Sequence, residues 1–251
     1  MSGLVVAALA AVAFVAFATE AALGFAGTVL AVSLGAQLVP LDLLLPAFVP
    51  INLVLSLAIV LIDRRRIAWR HLALELAPPV ALGAGLGLAL FRLPARLHLQ
   101  LGFALFVVGL ALLELVRMRE KGEAAAPSPW AARVLLCAGG LAHGLFGSGG
   151  PMIVYVLRRR LEDKAAFRAT LAVVWLTLNS LLCANYAAMG LYAGELGAAM
   201  LAMAAVVGPA FAAGNRLHRR IEPELFHRVV VVVLLGAGAI LAIRTGLALA
   251  A

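Results

Sequence analysis

Two glycine-rich segments interrupt long apolar runs in this chain, and they carry residues that could bind an anion. The segments, named here the first break and the second break, are Gly24-Phe25-Ala26-Gly27-Thr28 and Gly147-Ser148-Gly149-Gly150-Pro151. Clustered glycines destabilise a helix and admit unusual backbone angles, so each segment predicts a broken helix. Backbone N–H groups freed at the start of a helix carry partial positive charge. The two breaks therefore predict an anion-binding site.

Polar side chains beside the breaks have both functional and structural interpretations. His143 lies four residues before Gly147. An ionisable side chain in a membrane segment is a functional candidate, and an interhelical hydrogen bond is the alternative. The hydroxyls of Ser148 and Thr28 could donate to an oxyanion or could cap the ends of the broken helices. We expect binding for Ser148 and capping for Thr28.

Other polar residues stand inside apolar runs or at their ends. Asn52 and Asn179 lie in mid-run, where an amide needs partners, and Asn52 is the better site candidate, with helix–helix bonding as its alternative. Arg168, close to Thr170, could offer a two-pronged guanidinium to an anion, or could extend to the membrane surface. The acidic residues that could couple protons are Glu20 and Glu75.

The composition excludes a soluble protein. Of the 251 residues, 65% are hydrophobic and only 13% are charged, and the mean hydropathy is +1.08. A surface facing water needs more polar residues than this, so the surface must face lipid. Runs such as residues 43–62 are apolar on every face, which favours helices over a β-barrel. The sequence predicts an all-α integral membrane protein with six to eight crossings.

Repeated patterns divide the chain in two. The breaks lie 123 positions apart and are followed by matching spans and loops, which indicates two tandem repeats. We expect a first repeat at residues 1–116, a cytoplasmic linker at residues 117–130 and a second repeat at residues 131–251, together forming one integrated transport domain. The linker is recognised by its charges, alanines and prolines.

Basic residues predict the topology. Of the 20 Lys and Arg residues, 17 lie in loops at residues 63–70, 117–133, 158–168 and 216–228. Basic loops stay in the cytoplasm, and all four can do so only if residues 131–157 enter and leave on one side. We therefore expect a re-entrant helix hairpin and three spans in each repeat, with the second repeat inverted. The alternative is a broken helix that crosses once as a kinked span.

Several motifs in a fixed order resemble the sulfite exporter TauE/SafE family of membrane anion transporters, over nearly the whole chain. The strongest are the first break followed by Asn52 and by Arg-Arg-Arg-Ile-Ala-Trp at residues 64–69, and the second break followed by Arg168-Ala169-Thr170. Ala26 and Thr28 stand where the family pattern has more glycine. The resemblance implies carriage of sulfite, or of sulfonates such as sulfoacetate, across the bacterial cell inner membrane.

Together these features predict a secondary transporter and not an enzyme. A small organic or inorganic anion is expected to bind near the bilayer midplane between the breaks, with lipid and a coupling proton or other ion as further partners. No metal is expected, since Cys137 and Cys183 stand singly in apolar runs. No nucleic acid or cofactor is expected either. An anion channel is the alternative, because the same polar tips could line a pore. A serine hydrolase using Ser148 is disfavoured, because no base is well placed for it.

Overall fold

The computed structural model describes residues 2–23, 25–91, 96–119, 127–161, 163–192, 196–220 and 223–250. These residues form an all-helical protein, as predicted, and none of them lies in a β-strand. In chain order the helices are α1 (Gly3–Leu23), α2 (Gly27–Gly35), α3 (Leu41–Asp63), α4 (Trp69–Phe91), α5 (Arg96–Arg119), α6 (Pro129–Phe146), α7 (Gly150–Arg158), α8 (Lys164–Ala188), α9 (Leu196–Arg220) and α10 (Pro223–Ala250). Residues 120–126, half of the expected linker, lie outside the described residues.

The lengths of the helices fit a bilayer. Five described segments are long and apolar enough to cross a membrane, in α1, α3, α4, α8 and α9. In contrast, α2 and α7 have nine residues each, fewer than half of what a crossing needs. The protein is a multi-pass integral membrane protein.

The first helix extends beyond the apolar run of the sequence that predicts it. We expect an apolar run that ends at Ala18, because Glu20 follows, but α1 continues to Leu23. The hydroxyl of Thr19 donates to the carbonyl oxygen of Val15 at 2.8 Å, and a carboxylate oxygen of Glu20 accepts from an amide at 2.7 Å. Because both polar side chains are satisfied inside the protein, they do not end the helix.

Helices α6 and α7 form a hairpin around the second break. Gly139 of α6 lies against Ile153 of α7, so α7 returns along α6. At the open end of the hairpin, Arg160 lies 3.5 Å from Glu75 at the start of α4. Pro129, where α6 begins, borders the same crevice as these two residues. The hairpin therefore begins and ends on one side of the protein, as a re-entrant segment does.

The third helix of the first half, α3, packs on the third helix of the second half, α8, and the two run in opposite directions. The side-chain amide of Asn179 in α8 donates to Asn52 in α3 at 2.8 Å, and the guanidinium of Arg168 lies 2.7 Å from the carboxylate of Asp63. Residue numbers rise along one helix as they fall along the other, so α3 and α8 are antiparallel. An inverted second repeat requires this relation between the two equivalent helices.

Each hairpin packs on a helix of the other half through small residues. Gly83 of α4 lies against Cys137 of α6, and Gly87 lies against Gly144, so these two helices run in the same direction. A Cβ at Gly83 would collide with the carbonyl oxygen of Cys137, so the backbones of α4 and α6 can approach this closely only because residue 83 is glycine. In the equivalent pair, α1 packs on α9. Helices of one half therefore pack directly on helices of the other half.

Cysteine labelling in sealed cells tests the topology. Residues 126 and 162, in the two decisive loops, lie outside the described residues, but the exposed neighbours Ser128 and Arg158 report on the same ends of the hairpin. With Cys137 and Cys183 replaced by alanine, we expect Ser128→Cys and Arg158→Cys to be protected from a membrane-impermeant reagent, because basic segments face the cytoplasm. Ala188→Cys, at the other end of α8, should be labelled. If Arg158→Cys alone is labelled from outside, the re-entrant hairpin is wrong and the broken helix crosses the membrane once as a kinked span.

Candidate functional site

The two breaks meet at one cavity inside the protein. Its lining comes from both halves of the chain, namely Glu20, Phe25, Ala26, Thr28 and Val29 from the first and His143, Gly147, Ser148, Gly150, Trp175 and Asn179 from the second. The cavity volume is about 20 Å³, which is room for about one water molecule. Residues separated by more than 100 positions thus share a narrow polar site.

The first break is built around a tight contact with Glu20. Ala26 has a φ of 73°, in the left-handed region, and this costs an L-residue about 1–2 kcal/mol. The next residue, Gly27, begins α2, and a Cβ there would collide with a carboxylate oxygen of Glu20 and lie 2.6 Å from the carbonyl oxygen of Ala16. The break therefore requires glycine at 27 but tolerates alanine at 26. Gly24, also expected at the site, lies outside the described residues.

The second break uses glycine for conformation at one position and for space at another. Gly147 ends α6 with a φ of 63°, and its N–H donates to the carbonyl oxygen of His143 at 2.7 Å. The hydroxyl of the buried Ser148 donates to the carbonyl oxygen of Phe146 at 3.1 Å. Because that hydroxyl has a single proton, Ser148 has none left for an anion in this arrangement.

A chain of hydrogen bonds crosses the site from one half to the other. Asn52 donates from Nδ2 to a carboxylate oxygen of Glu20 at 2.7 Å. Asn179 in turn donates from Nδ2 to Oδ1 of Asn52 at 2.8 Å. The Oδ1 of Asn179 lies 3.1 Å from Nε2 of His143, and since an amide oxygen only accepts, the imidazole donates. All four residues are at least 96% buried.

This series of hydrogen bonds leaves one polar atom of His143 without a partner. Its Nδ1 is buried and has no hydrogen-bond partner among the described residues. The ring stacks on Trp175 with centroids 5.6 Å apart and planes 8° apart, which fixes its orientation. His143 therefore lines the cavity with a held ring and an unused nitrogen, and an unpaired buried nitrogen is costly unless something binds it.

Helix ends add positive character to the cavity. The residues Thr28 and Val29 in the first turn of α2 line it, and so does Gly150, the first residue of α7. The side chain of neither preceding residue caps these helices, so the first-turn N–H groups have no side-chain partner there. The expected capping role of Thr28 is not seen, because its position is inside the helix rather than before it.

Two of the expected site residues lie elsewhere. Arg168, at the start of α8, is held by Asp63, and Thr170 accepts a hydrogen bond from the backbone N–H of Ala68 at 2.9 Å. Both fasten α8 to the loop after α3. They are more than one helical turn from Asn179 and Trp175, which are the α8 residues at the cavity. The structure therefore does not bring Arg168 or Thr170 to the break cavity.

Sequence reasoning left four lining residues out of the site, and one of them, Val29, carries no polar group that could mark it. Asn179 was weighed only as a polar mid-span residue, Glu20 only as a proton-coupling candidate, and Trp175 not at all. One signal was available, because Glu20 and His143 are separated by the same 123 positions as the two breaks. Trp175 carries no such signal, since its contact with His143 depends on how α8 packs.

Comparison with known proteins identifies the family. The family model described as Sulfite exporter TauE/SafE matches residues 9–241. The chain belongs to the TauE/SafE family. A similar curated protein is the probable inner membrane transporter protein TsaS of Comamonas testosteroni, 29% identical over 184 residues, which cover 69% of this chain and 72% of the relative. No solved structure matches the chain.

Membership of the TauE/SafE family makes the protein a membrane transporter of sulfur-containing anions and not an enzyme. The geometry agrees with this assignment. The hydroxyl of Ser148 is bonded to a backbone carbonyl and the imidazole of His143 to Asn179. The described residues therefore do not pair this serine with the base that a hydrolase would need.

Proposed function

We propose that this TauE/SafE protein is a secondary transporter that carries sulfite or small sulfonates such as sulfoacetate across the bacterial inner membrane, binding them between the two breaks. The observation that carries the proposal is the single cavity lined by both breaks. Broken helices in matching positions, whose ends meet inside the protein, are typical of transporter substrate sites.

The chemistry of the cavity supports an oxyanion. The N-terminal ends of α2 and α7 offer partial positive charge and N–H groups. Because Nε2 of His143 donates to Asn179, Nδ1 of His143 can donate to an oxyanion only when the ring is protonated. Phe25 and Trp175 supply apolar walls, which suit the carbon end of a sulfonate. Gly24 through Thr28, Asn52, His143 and residues 147–150 remain our proposed binding residues, and Arg168 and Thr170 are proposed only as supports of α8.

The size of the cavity supports a carrier. Sulfite has four heavy atoms, whereas the cavity has room for about one water molecule. Binding therefore requires the two hairpins to separate, and we propose that residues 1–116 and 131–251 act as inverted repeats that move around this site, joined by the cytoplasmic linker at residues 117–130. A carrier gives saturable flux, and an anion channel would instead give an ohmic current.

Ligand-induced stabilisation of the purified protein tests the proposal. The anions are sulfite, sulfate, sulfoacetate, taurine and acetate, with chloride as the control. A substrate at 100 times its Kd adds about 2.7 kcal/mol to the apparent stability. We expect a raised unfolding midpoint with sulfite or a sulfonate, and saturable uptake of the same anion into proteoliposomes. No shift with any of these anions would contradict the proposal, and an equal shift with acetate would contradict the preference for sulfur.

A further inference from the structure

The proposed anion site contains a carboxyl group that an anion should avoid. Glu20 is only 4% exposed, lines the cavity and lies against Gly27, the first residue of α2. Like charges repel strongly where water is excluded, so an ionised Glu20 in the lining would oppose the binding of an oxyanion to this buried site. The carboxyl must therefore be neutral whenever the site holds an anion.

We propose that Glu20 is the binding site of a coupling proton, so that one proton and one anion are carried together; this inference rests on the proposed function. The carboxylate takes a proton from water on the side where the site is open and becomes a neutral carboxylic acid. The anion binds to this form. When the site opens on the other side, the anion leaves and the carboxylic acid returns its proton to water.

The groups around Glu20 suit a proton better than a metal cation. A hard cation needs several oxygen ligands, but Asn52 turns its Nδ2 to the carboxylate, and its Oδ1 is occupied by Asn179. No group of three or more His, Cys, Asp or Glu residues in the described part of the chain could hold a metal ion. A carboxyl with one hydrogen-bond donor can still gain or lose a proton without rearranging these amides.

Among the described residues, no neighbouring charged side chain neutralises Glu20. The adjacent α2 has no ionisable residue, and the acids of α3, Asp42 and Asp63, lie near its two ends. On α9, the ionisable residue with a described side chain is Arg216, which follows Gly214, the residue that packs on α1 at Ala18 and Ala21 beside Glu20; the side chain of Arg216 is exposed and makes no ion pair with Glu20. From α6, His143 lines the same cavity, but it makes no ion pair with Glu20 and its hydrogen-bond connection to Glu20 runs through the two asparagine amides. Among the described residues a proton is thus the available means of making Glu20 neutral.

Proteoliposomes that carry the wild-type protein or Glu20→Gln separate coupling from binding. For the wild type, an acidic exterior should drive uphill uptake of the anion that stabilises the protein, and the apparent Kd should rise about tenfold per pH unit once Glu20 ionises. Glu20→Gln keeps an acceptor for Asn52 but cannot titrate. It should still exchange anion for anion, with affinity that does not change with pH, and should lose uptake driven by the pH gradient.

Two further variants keep the test informative. Glu20→Asp restores a titratable group and should recover pH-driven uptake, even if Glu20→Gln is poorly folded. Glu75→Gln, whose carboxylate contacts His71 and Arg160 outside the cavity, is the matched control and should behave as wild type.

The outcomes distinguish this inference from the proposed function. If the wild type exchanges anions but Glu20→Gln keeps gradient-driven uptake, the proton site is elsewhere and only this inference fails. Uptake driven by a sodium gradient, and unaffected by pH, would overturn it in the same way. If the wild type neither binds nor exchanges any of the anions at any pH, the proposed function fails and the inference falls with it.

Discussion

Gly149→Ala is expected to prevent the α6–α7 hairpin from forming, whereas Gly150→Ala, one residue further on, should leave the fold intact and weaken anion binding. A Cβ at Gly149 would collide with the carbonyl oxygen of Gly139 and lie 2.9 Å from Cβ of His143. Backbone cannot move aside as a side chain can, so the cost lies at or above the top of the usual range for overpacking, about 1–3 kcal/mol.

The neighbouring glycine has space. A Cβ at Gly150 would meet only the ring of Trp175, at 3.8 Å, which is an ordinary contact. The added methyl group would, however, enter a cavity of about 20 Å³. We expect at least about tenfold weaker anion binding, equivalent to about 1.4 kcal/mol.

Folding and binding are measured on the same preparations. Fluorescence-detected size-exclusion chromatography reports the yield and unfolding temperature of each variant, and thermal shift with anion reports its binding. Gly85→Ala is the control, because nothing lies within 4 Å of a Cβ there. A well-folded Gly149→Ala protein would disprove the close packing of the hairpin, and unchanged anion affinity in Gly150→Ala would move the site away from the second break.

Asn179→Leu is expected to destabilise the protein by on the order of 2–4 kcal/mol. The substitution removes two hydrogen bonds at once and leaves Oδ1 of Asn52 and Nε2 of His143 buried without partners. Each unsatisfied buried group costs about 1–3 kcal/mol. Measured polar contacts between membrane helices fall toward the lower end of this range.

A double-mutant cycle measures how much of this loss belongs to the pair of asparagines. Unfolding free energies of Asn179→Leu, Asn52→Leu and the double variant should give a coupling energy of about 1 kcal/mol or more. Thr177→Val is the control on the same helix, since its exposed hydroxyl bonds only the carbonyl of Val173. If the effects of the two leucine substitutions on the unfolding free energy are additive, the hydrogen bond between the asparagines does not couple the two halves.

Local features of the fold were predictable because their causes are local. Clustered glycines weaken a helix wherever they occur, so both breaks were predicted from sequence, and Gly147 and Ala26 do adopt left-handed backbone angles. The all-helical membrane fold and the TauE/SafE family are confirmed. The positions of basic loops predicted a hairpin that returns to its own side, and the contact of Arg160 with Glu75 agrees with it.

Partners between helices were not predictable, because they depend on packing. A single arginine near Thr170 looks the same in sequence whether it binds an anion or pairs with Asp63, which is 105 positions away. The apolar run that ends at Ala18 is shorter than α1 for the same reason, because the carboxylate of Glu20 is satisfied by Asn52 of another helix. The roles of the lining residues in binding stay predictions.

The hydrogen-bond chain across the site has a single direction. Every bond in it points the same way, from the imidazole of His143 through Asn179 and Asn52 to the carboxylate of Glu20. A one-way chain needs a donor at one terminus and an acceptor at the other. A carboxylate at position 143 would have no proton to give to Oδ1 of Asn179, so that hydrogen bond could not form. The two ends of the hydrogen-bond chain are therefore not interchangeable, and the bond between the two asparagines fixes which half supplies the terminal donor and which the terminal acceptor.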